Sequence, residues 1–254
     1  MEVTFPRFVL AEFNTHRQFS RNSASSRAIP TSTISERVES DPVLPVEWGR
    51  NQKGMSAAEV LTPEDEEEAR RTWLDARDAA VEEAQRLHHL RVHKQVVNRL
   101  LEPFLWHTVI VTATEWANFF GLRCAPNAQP EIREAALRTR TAREASTPQH
   151  VGMGGWHLPL VQPDERNLGV ETLKKISAAR CARVSYLTHA GTREIEKDLD
   201  LYERLKSDRH LSPFEHVATP SGDREFHANF RGWIQMRHAI EDAGRAEETE
   251  EIGP

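Results

Sequence analysis

The segment THRQFSRNSASSRA, residues 15–28, gathers cationic side chains and small hydroxyls within one short stretch. Arginine offers a rigid fork of donors that matches phosphate oxygens, and Ser and Asn can complete the hydrogen bonds of an oxyanion. This composition favours a nucleotide or a phosphate-bearing cofactor as the ligand. The alternative is a solvated basic face on a serine-rich loop, because such turns are common. The residues concerned are Thr15, His16, Arg17, Ser20, Asn22, Ser25 and Arg27.

The same segment resembles the signature of the flavin-dependent thymidylate synthases. That signature reads Arg-His-Arg, seven residues, Ser, one residue and another Arg. Four positions match it, namely His16, Arg17, Ser25 and Arg27, whereas Thr15 replaces the first arginine. The resemblance implies an enzyme that binds FAD, reduces it with NADPH and uses methylenetetrahydrofolate as the one-carbon donor.

Two further regions resemble this family. NFFGLRCAPNAQPEIREAA, residues 118–136, is similar to its C-terminal helix region. AARCARVSY, residues 178–186, and HLSPFEH, residues 210–216, form a pair that comes first in the usual order but last here. We therefore predict a circular permutation, which folds tolerate when the original termini are close together at the surface. Residues 31–62 and 138–170 match no segment of the family.

The resemblance assigns roles to individual residues. Arg123 matches the arginine that polarises the pyrimidine and is the expected catalytic residue, since a guanidinium stays charged in a partly dry pocket. No metal ligand is expected. The substrate-binding positions are Glu12, Ser25, Arg27, Arg99 and Arg123, and the cofactor-binding positions are His16, Arg17, Asn22, Ser23, Asn118, Ser185 and His216. For His216, a core histidine satisfied by backbone groups is the alternative.

The implied reaction adds a methyl group to C5 of a pyrimidine deoxynucleotide monophosphate, with dUMP converted to dTMP. The sequence departs from the family pattern at Glu12, Thr15, Ser23 and Asn127. Glutamate in place of glutamine exchanges an amide for a pure acceptor, which could change the base that is held. A dCMP or dUMP hydroxymethylase, or a non-catalytic nucleotide-binding protein, therefore stays open as an alternative.

Two unrelated kinds of site are also compatible with single residues. Cys124 beside Arg123 could act as a nucleophilic thiol, although the surrounding motif of the cysteine-dependent thymidylate synthases is missing. His89 and His93 lie four positions apart and could share a metal-binding helix face. The glutamate of the metalloprotease pattern does not follow His89, so an exposed polar stripe is the simpler interpretation.

Composition agrees with a globular enzyme: of 254 residues, 38% are hydrophobic and 28% are charged. The formal charge of −6 argues against binding a nucleic acid polymer by bulk electrostatics. No apolar run approaches the roughly 20 residues of a membrane span, and the first residues have no signal-peptide pattern. We expect a cytoplasmic protein with two reduced cysteines, Cys124 and Cys181.

The elements that must position these residues follow from local pattern. Pro6 predicts the start of a short helix that buries Phe8, Val9 and Phe13, with the signature at its end. Residues 31–55 read as a long connection. Thr62, Pro63 and the carboxylates after them predict the start of a long amphipathic helix that reaches Leu101. The apolar run of residues 104–122 predicts a buried helix, from which Asn118 and Arg123 would need polar partners.

Later segments complete the prediction of an α/β (α+β), helix-rich fold like that of the flavin-dependent thymidylate synthases, circularly permuted. A helix with a charged outer face follows from about residue 126, and a strand is expected at residues 154–161. Further helices are predicted over residues 170–183 and 195–205, and residues 226–238 should pack beneath the signature. Residues 1–240 form one predicted catalytic domain, and 241–254 an acidic, flexible tail. The resemblance also implies a homotetramer.

Overall fold

The computed structural model describes residues 1–184 and 193–242. A three-stranded antiparallel sheet lies at its centre, in the order β1–β3–β2. The strands are β1 (Glu2–Pro6), β2 (Ser20–Ser23) and β3 (Trp106–Thr112). In this register Phe5 pairs with His107 and Asn22 pairs with Ile110. The sheet thus joins the start of the chain, the signature and the middle of the sequence.

Alternation along β3 separates the two faces of the sheet, because successive side chains of a strand point to opposite sides. Val109 and Val111 face a core that is rich in phenylalanine. Ile110, on the opposite side, packs with Cys181 and Val184 of the C-terminal region. The core on the first face includes Phe5, Val9, Phe13, Phe19, Phe119 and Ile132.

Short helical segments connect the strands and support the first core. A 3₁₀ turn at Arg7–Val9 leads into α1 (Leu10–Phe13), which ends immediately before the signature. Beyond β3 follow α5 (Ala117–Arg123) and α6 (Pro130–Ala145). The predicted helix after Pro6 and the predicted helix with a charged outer face are both confirmed.

A second helical layer packs beside the sheet. It comprises α2 (Thr31–Ser40), α3 (Pro63–His89), α4 (Lys94–Val97) and a 3₁₀ helix at Asn98–Phe104. Thr62 caps α3 as predicted, with its hydroxyl accepting from the backbone nitrogen of Asp65 at 3.2 Å. Carboxylates fill the first turn of α3, where they complement the helix dipole.

The C-terminal region covers the second face of the sheet. Its helices α7 (Val170–Ala182) and α8 (Ile195–Ser207) agree with prediction and pack against a 3₁₀ turn at Ser212–Glu215. Short strands follow: β4 (Ala218–Pro220), β5 (Phe226–His227), β6 (Phe230–Arg231) and β7 (Trp233–Gln235). A buried ion-pair network ties these elements together, in which Arg180 donates to Glu165 and Asp198.

Four predicted elements are wrong. The apolar run of residues 104–122 is not one helix but β3 followed by α5, and residues 31–55 contain α2. The long helix ends at His89 instead of Leu101, because Arg91 turns the chain at a φ of 62°. Residues 154–161 contribute only an isolated bridge between His157 and Ala218.

The mixed, helix-rich α/β class is confirmed by these elements. No described helix is long and apolar enough to cross a membrane. Residues 243–254 of the predicted acidic tail lie outside the described residues, so the boundary of the catalytic domain at residue 240 stays a prediction.

Candidate active site

His16 and Arg123 meet directly, although 107 positions separate them in the chain. The Nε of Arg123, at the end of α5, donates to Nε2 of His16 at 2.9 Å. His16 follows α1 and lies against the edge of Phe119, with ring centroids 4.9 Å apart. The two residues that the sequence placed in the catalytic and cofactor groups therefore belong to one cluster.

His16 is a neutral acceptor at neutral pH. It is only 7% exposed, and burial, reinforced by the charges of Arg123 and Arg21, lowers its pKa to about 4. Because Nε2 accepts from Arg123, the ring proton is assigned to Nδ1. A neutral imidazole orients the guanidinium without cancelling its charge.

Thr15 and Glu12 complete the frame around Arg123. Nη2 of Arg123 donates to the Thr15 hydroxyl at 3.1 Å and to the Glu12 carbonyl at 3.2 Å. The Thr15 hydroxyl itself donates to the same carbonyl at 2.7 Å. Threonine at this position thus replaces a cation with a group that orients the neighbouring arginine.

The Glu12 carboxylate is incompletely satisfied. Its Oε2 is buried and has no hydrogen-bond partner among the described residues. A buried carboxylate oxygen without a donor is costly, so a donor from a bound molecule would stabilise this arrangement.

Arg21 holds the backbone of the signature, a role that sequence reasoning missed. Its Nη1 donates to the carbonyl of His16 at 3.2 Å and to that of Phe13 at 3.4 Å. Burial, followed by the nearby charge of Arg17, lowers the pKa of Arg21 from its ordinary value. The sequence showed only another arginine in a basic segment, and nothing in its spacing separated a backbone clamp from a ligand.

The loop after β2, which carries Ser25 and Arg27, is fixed by a buried asparagine. Nδ2 of Asn98 donates to the carbonyls of Ser26 at 2.7 Å and Ile29 at 3.1 Å, and its Oδ1 accepts from the Thr31 hydroxyl at 2.8 Å. Asn98 is fully buried. No motif identified it, since its importance depends on a contact between residues about 70 positions apart.

Arg99 lies close to this loop through a shared carboxylate. Its Nη1 donates to Oε1 of Glu102 at 2.7 Å, and the same oxygen accepts from the Ser26 hydroxyl at 2.8 Å. Arg7 approaches the same oxygen at 3.6 Å. Glu102 therefore links Arg99 to Ser26, which lies between the predicted substrate-binding positions Ser25 and Arg27.

The C-terminal region reaches the signature strand through His216. Asn22 donates to Nε2 of His216 and to the Ser212 carbonyl, each at 3.2 Å, in the amide orientation that satisfies both groups. The opposite nitrogen, Nδ1, lies 2.9 Å from the Thr112 hydroxyl and donates to it in this tautomer. His216 is fully buried, and burial lowers its pKa to about 3. Its partners are side chains from β2 and β3 instead of backbone groups.

Residues 226–238 pack against the signature, as predicted. The amide of Asn229 donates to the Gln18 carbonyl at 3.2 Å and to the Ser20 hydroxyl at 3.0 Å. Gln235 donates to the same hydroxyl at 2.9 Å. All three hydrogen bonds join residues more than 200 positions apart.

The other predicted site residues are exposed to solvent or lie outside the described residues. Arg17, Ser23, Arg27 and Asn118 are exposed. Contrary to prediction, Asn118 does not leave a buried helix in need of a partner, because α5 is short and this side chain is exposed to water. Ser185 lies outside the described residues.

The proposed metal site at His89 and His93 loses its geometric basis, whereas the Cys124 alternative is not tested. His93 lies beyond the end of α3 and caps α4, where Nδ1 accepts from the Gln95 backbone nitrogen at 3.2 Å, so it shares no helix face with His89. Cys124 packs half-buried against the first core. Cys181 is enclosed, and burial raises the pKa of its thiol to about 12, opposite to what a reactive thiol needs.

Residues 1–149 match the family described as thymidylate synthase complementing protein. The chain belongs to this family. The matched range contains the signature, β3, α5 and most of the cluster around Arg123. It does not extend to the two C-terminal segments on which the circular permutation depends, so the permutation stays a prediction.

A solved structure gives a weaker likeness. The crystal structure of a UMP/dUMP methylase PolB from Streptomyces cacaoi bound with 5-Br UMP aligns with 56% of this chain at 21% identity and a TM-score of 0.44. The chain covers 66% of that protein's length. A comparison with curated proteins gives no match.

Proposed function

We propose that this protein transfers a one-carbon unit from methylenetetrahydrofolate to C5 of a pyrimidine deoxynucleotide, with dUMP converted to dTMP and FAD as cofactor. Membership of the thymidylate synthase complementing protein family supports a methyltransferase of this kind. The observation that carries the proposal is the environment of Arg123. Its hydrogen-bond partners are an imidazole, a hydroxyl and a carbonyl, all of them neutral.

An arginine held in this way suits the stabilisation of negative charge. Within the described residues Arg123 makes no ion pair, and its hydrogen bonds to them use only Nε and Nη2, which leaves Nη1 for a ligand. Donors that are fixed before reaction, and aimed where charge develops, lower a barrier without reorganisation. Arg123 would therefore polarise the pyrimidine as carbon–carbon bond formation places charge on the ring.

The remaining proposed roles concern binding of the nucleotide and of the cofactor. Ser25, Arg27 and Arg99 would hold the nucleotide, with Glu12 near its base. The exposed Arg17 forms no ion pair within the described chain, so its guanidinium is available to a phosphate group of the cofactor. His16, Arg17, Asn22, Ser23, Asn118 and Ser185 would hold FAD, and the enclosed His216 would act by orienting Asn22. Bound FAD would supply the hydride, with NADPH as reductant.

A direct assay tests the proposal. The protein is incubated with FAD, NADPH, methylenetetrahydrofolate and either dUMP or dCMP, and the nucleotide products are analysed by mass spectrometry. We expect dUMP to gain a methyl group. Arg123→Ala should retain FAD, followed by its visible absorbance, but lose turnover by about 100-fold or more. Arg140→Ala, at an exposed position of α6, is the matched control.

The products also separate the alternatives. The acceptor-only carboxylate of Glu12 matches the N4 amino group of cytosine, which is why dCMP belongs in the assay. A hydroxymethyl product would indicate a related hydroxymethylase. Flavin binding without any gain of carbon would indicate a non-catalytic nucleotide-binding protein, and equal turnover of wild type and Arg123→Ala would dismiss the role of Arg123.

The same proposal includes the organisation of the protein. We infer one catalytic domain over residues 1–240, a homotetramer in the cytoplasm and a circularly permuted order of segments. Contacts of Asn22 with His216 and of Ser20 with Gln235 support the permuted order, because they join the signature strand to the last third of the chain.

A further inference from the structure

A cleft of about 190 Å³ opens between α2, β3 and the loop after β2. Its wall combines two guanidinium groups, hydroxyls and one indole ring, and sequence reasoning identified none of them. The lining residues that matter are Arg7, Ser26, Arg37, Trp106, His107 and Thr108.

Arg37 gives the cleft a cation that has no partner among the described residues. It lies in the last turn of α2, half-buried, and its side chain forms no hydrogen bond or ion pair with the rest of the described chain. Asp41 also lines the cleft, but it is exposed and makes no ion pair with Arg37. A partly desolvated guanidinium without an acceptor is stabilised by an anionic ligand, and its fork of donors matches phosphate.

Arg7 is the second cation, and it is held in place. Its Nη1 donates to Nε2 of His107 at 3.2 Å, and its backbone nitrogen donates to the Leu105 carbonyl at 2.8 Å. His107 is only 4% exposed, and burial followed by the charge of Arg7 lowers its pKa to about 3. The imidazole is therefore neutral and orients Arg7 without neutralising it.

The cleft is continuous with the loop that carries Ser25 and Arg27. Ser26 belongs to both, and its hydroxyl shares Oε1 of Glu102 with Arg99. Near this point Arg7 and Arg99 share the single carboxylate of Glu102, and Arg37 lines the same cleft as Asp41 without pairing with it. The local balance is thus positive although the whole chain is acidic.

The size of the cleft indicates what fits. Pockets that enclose whole small-molecule ligands measure about 300–1,000 Å³, so this one admits only one end of a nucleotide. The ring of Trp106 is 42% exposed at the cleft and offers an apolar flank for a sugar.

We propose that this cleft binds the phosphate group of the nucleotide substrate. Arg37 and Arg7 donate to the phosphate beside the loop that carries Ser25 and Arg27. The inference rests on the proposed function for the identity of the nucleotide. It adds two residues that the family signature does not contain, and it places phosphate recognition at the junction of α2 and β3.

A ligand-by-variant comparison tests the role of Arg37. Wild type, Arg37→Ala, Arg37→Lys and the control Arg140→Ala are titrated with dUMP, deoxyuridine and inorganic phosphate by calorimetry. Loss of a charge-assisted phosphate contact should weaken dUMP binding about 10- to 100-fold in Arg37→Ala and less in Arg37→Lys. Deoxyuridine binding should not change, because it has no phosphate. Circular dichroism checks that each variant is folded.

The other outcomes separate the two proposals. Equal dUMP binding by wild type and Arg37→Ala, or equal losses for dUMP and deoxyuridine, would overturn the inference. If wild type binds inorganic phosphate through Arg37 but not dUMP, the anion site stands and the proposed substrate fails. If wild type binds neither, the inference fails as well.

Discussion

The hydroxyl of Thr15 serves two hydrogen bonds at once, one from Arg123 and one to the Glu12 carbonyl. Thr15→Val removes both and leaves the guanidinium less well oriented, while the exposed position limits the cost to folding. One such hydrogen bond contributes about 1 kcal/mol, so we expect kcat for dUMP methylation to fall about 5-fold. Steady-state kinetics measures this.

Thr15→Ser is the matched control, because it keeps the hydroxyl and removes only a methyl group. Its kcat should stay within about two-fold of wild type. If the valine variant turned over as fast as the serine variant, the orienting role of this hydroxyl would be refuted.

At single residues, the sequence could identify groups that a motif names but not groups that act on the backbone. His16 and Arg123 were predicted to share a site, and they form a direct hydrogen bond. Arg21 and Asn98 were missed, because each holds backbone carbonyls of another segment, and residue spacing does not encode such contacts. Residues that a motif names were therefore easier to place together than the residues that hold them.

At the scale of elements, α4 and the 3₁₀ helix at Asn98–Phe104 act as a clamp on the loop of Ser25 and Arg27. Asn98→Ala would leave the carbonyls of Ser26 and Ile29 and the Thr31 hydroxyl without partners. Each unsatisfied buried group costs about 1–3 kcal/mol, so we expect the free energy of unfolding to fall by about 3 kcal/mol. Urea denaturation measures this change.

The control for this clamp is Gln95→Ala, at an exposed position of α4. It should change the free energy of unfolding by less than about 0.5 kcal/mol. Asn98→Asp keeps an acceptor for Thr31 but turns a carboxyl oxygen toward the carbonyls of Ser26 and Ile29, so it should destabilise at least as much as Asn98→Ala. A stability of Asn98→Ala equal to that of the control would contradict the clamp.

The secondary-structure predictions were correct where a hydrophobic period and a helix cap indicated the same element. The start of α3 has both, whereas residues 104–122 form an apolar run without a clear period, which fits a strand or a buried helix equally well. The decisive signal was the β-branched content of Thr108, Val109, Ile110 and Val111. The Ser and Thr content of α2 made the segment resemble a loop in the sequence. Ile34 and Val38 are nevertheless spaced as on one helix face and are buried together.

At the scale of the whole molecule, the central sheet needs both ends of the chain. Its first face is covered by α1, α5 and α6, and its second face by the C-terminal region with His216 and Val184. An exposed sheet face would leave apolar side chains in water, so the last third of the chain is part of the fold and not an appendage. From the sequence, this packing could be predicted only because two segments of the last third of the chain resemble segments that come first in the usual order of the family.

Three neutral histidines make this assembly sensitive to acid. His16, His107 and His216 have pKa values lowered from 6.5 to about 4, 3 and 3 by burial. Between about pH 4 and 6.5 the unfolded chain therefore binds more protons than the folded one, so stability is fully present above pH 6.5 and falls as the pH decreases. Each histidine contributes about 1.4 kcal/mol per pH unit, and the three together about 4.

Urea unfolding at pH 7, 6 and 5 measures this slope above the range in which most carboxylates titrate. His107→Gln should reduce the loss of stability between pH 7 and pH 5 by about 2 kcal/mol, whatever its effect on absolute stability, since one titrating group is removed. Thr108→Val, on the same strand but without a titrating group, should keep the slope of wild type. A free energy of unfolding that is constant from pH 7 to 5 would mean that these imidazoles are accessible to protons in the folded state, contrary to their burial between the sheet and its two layers.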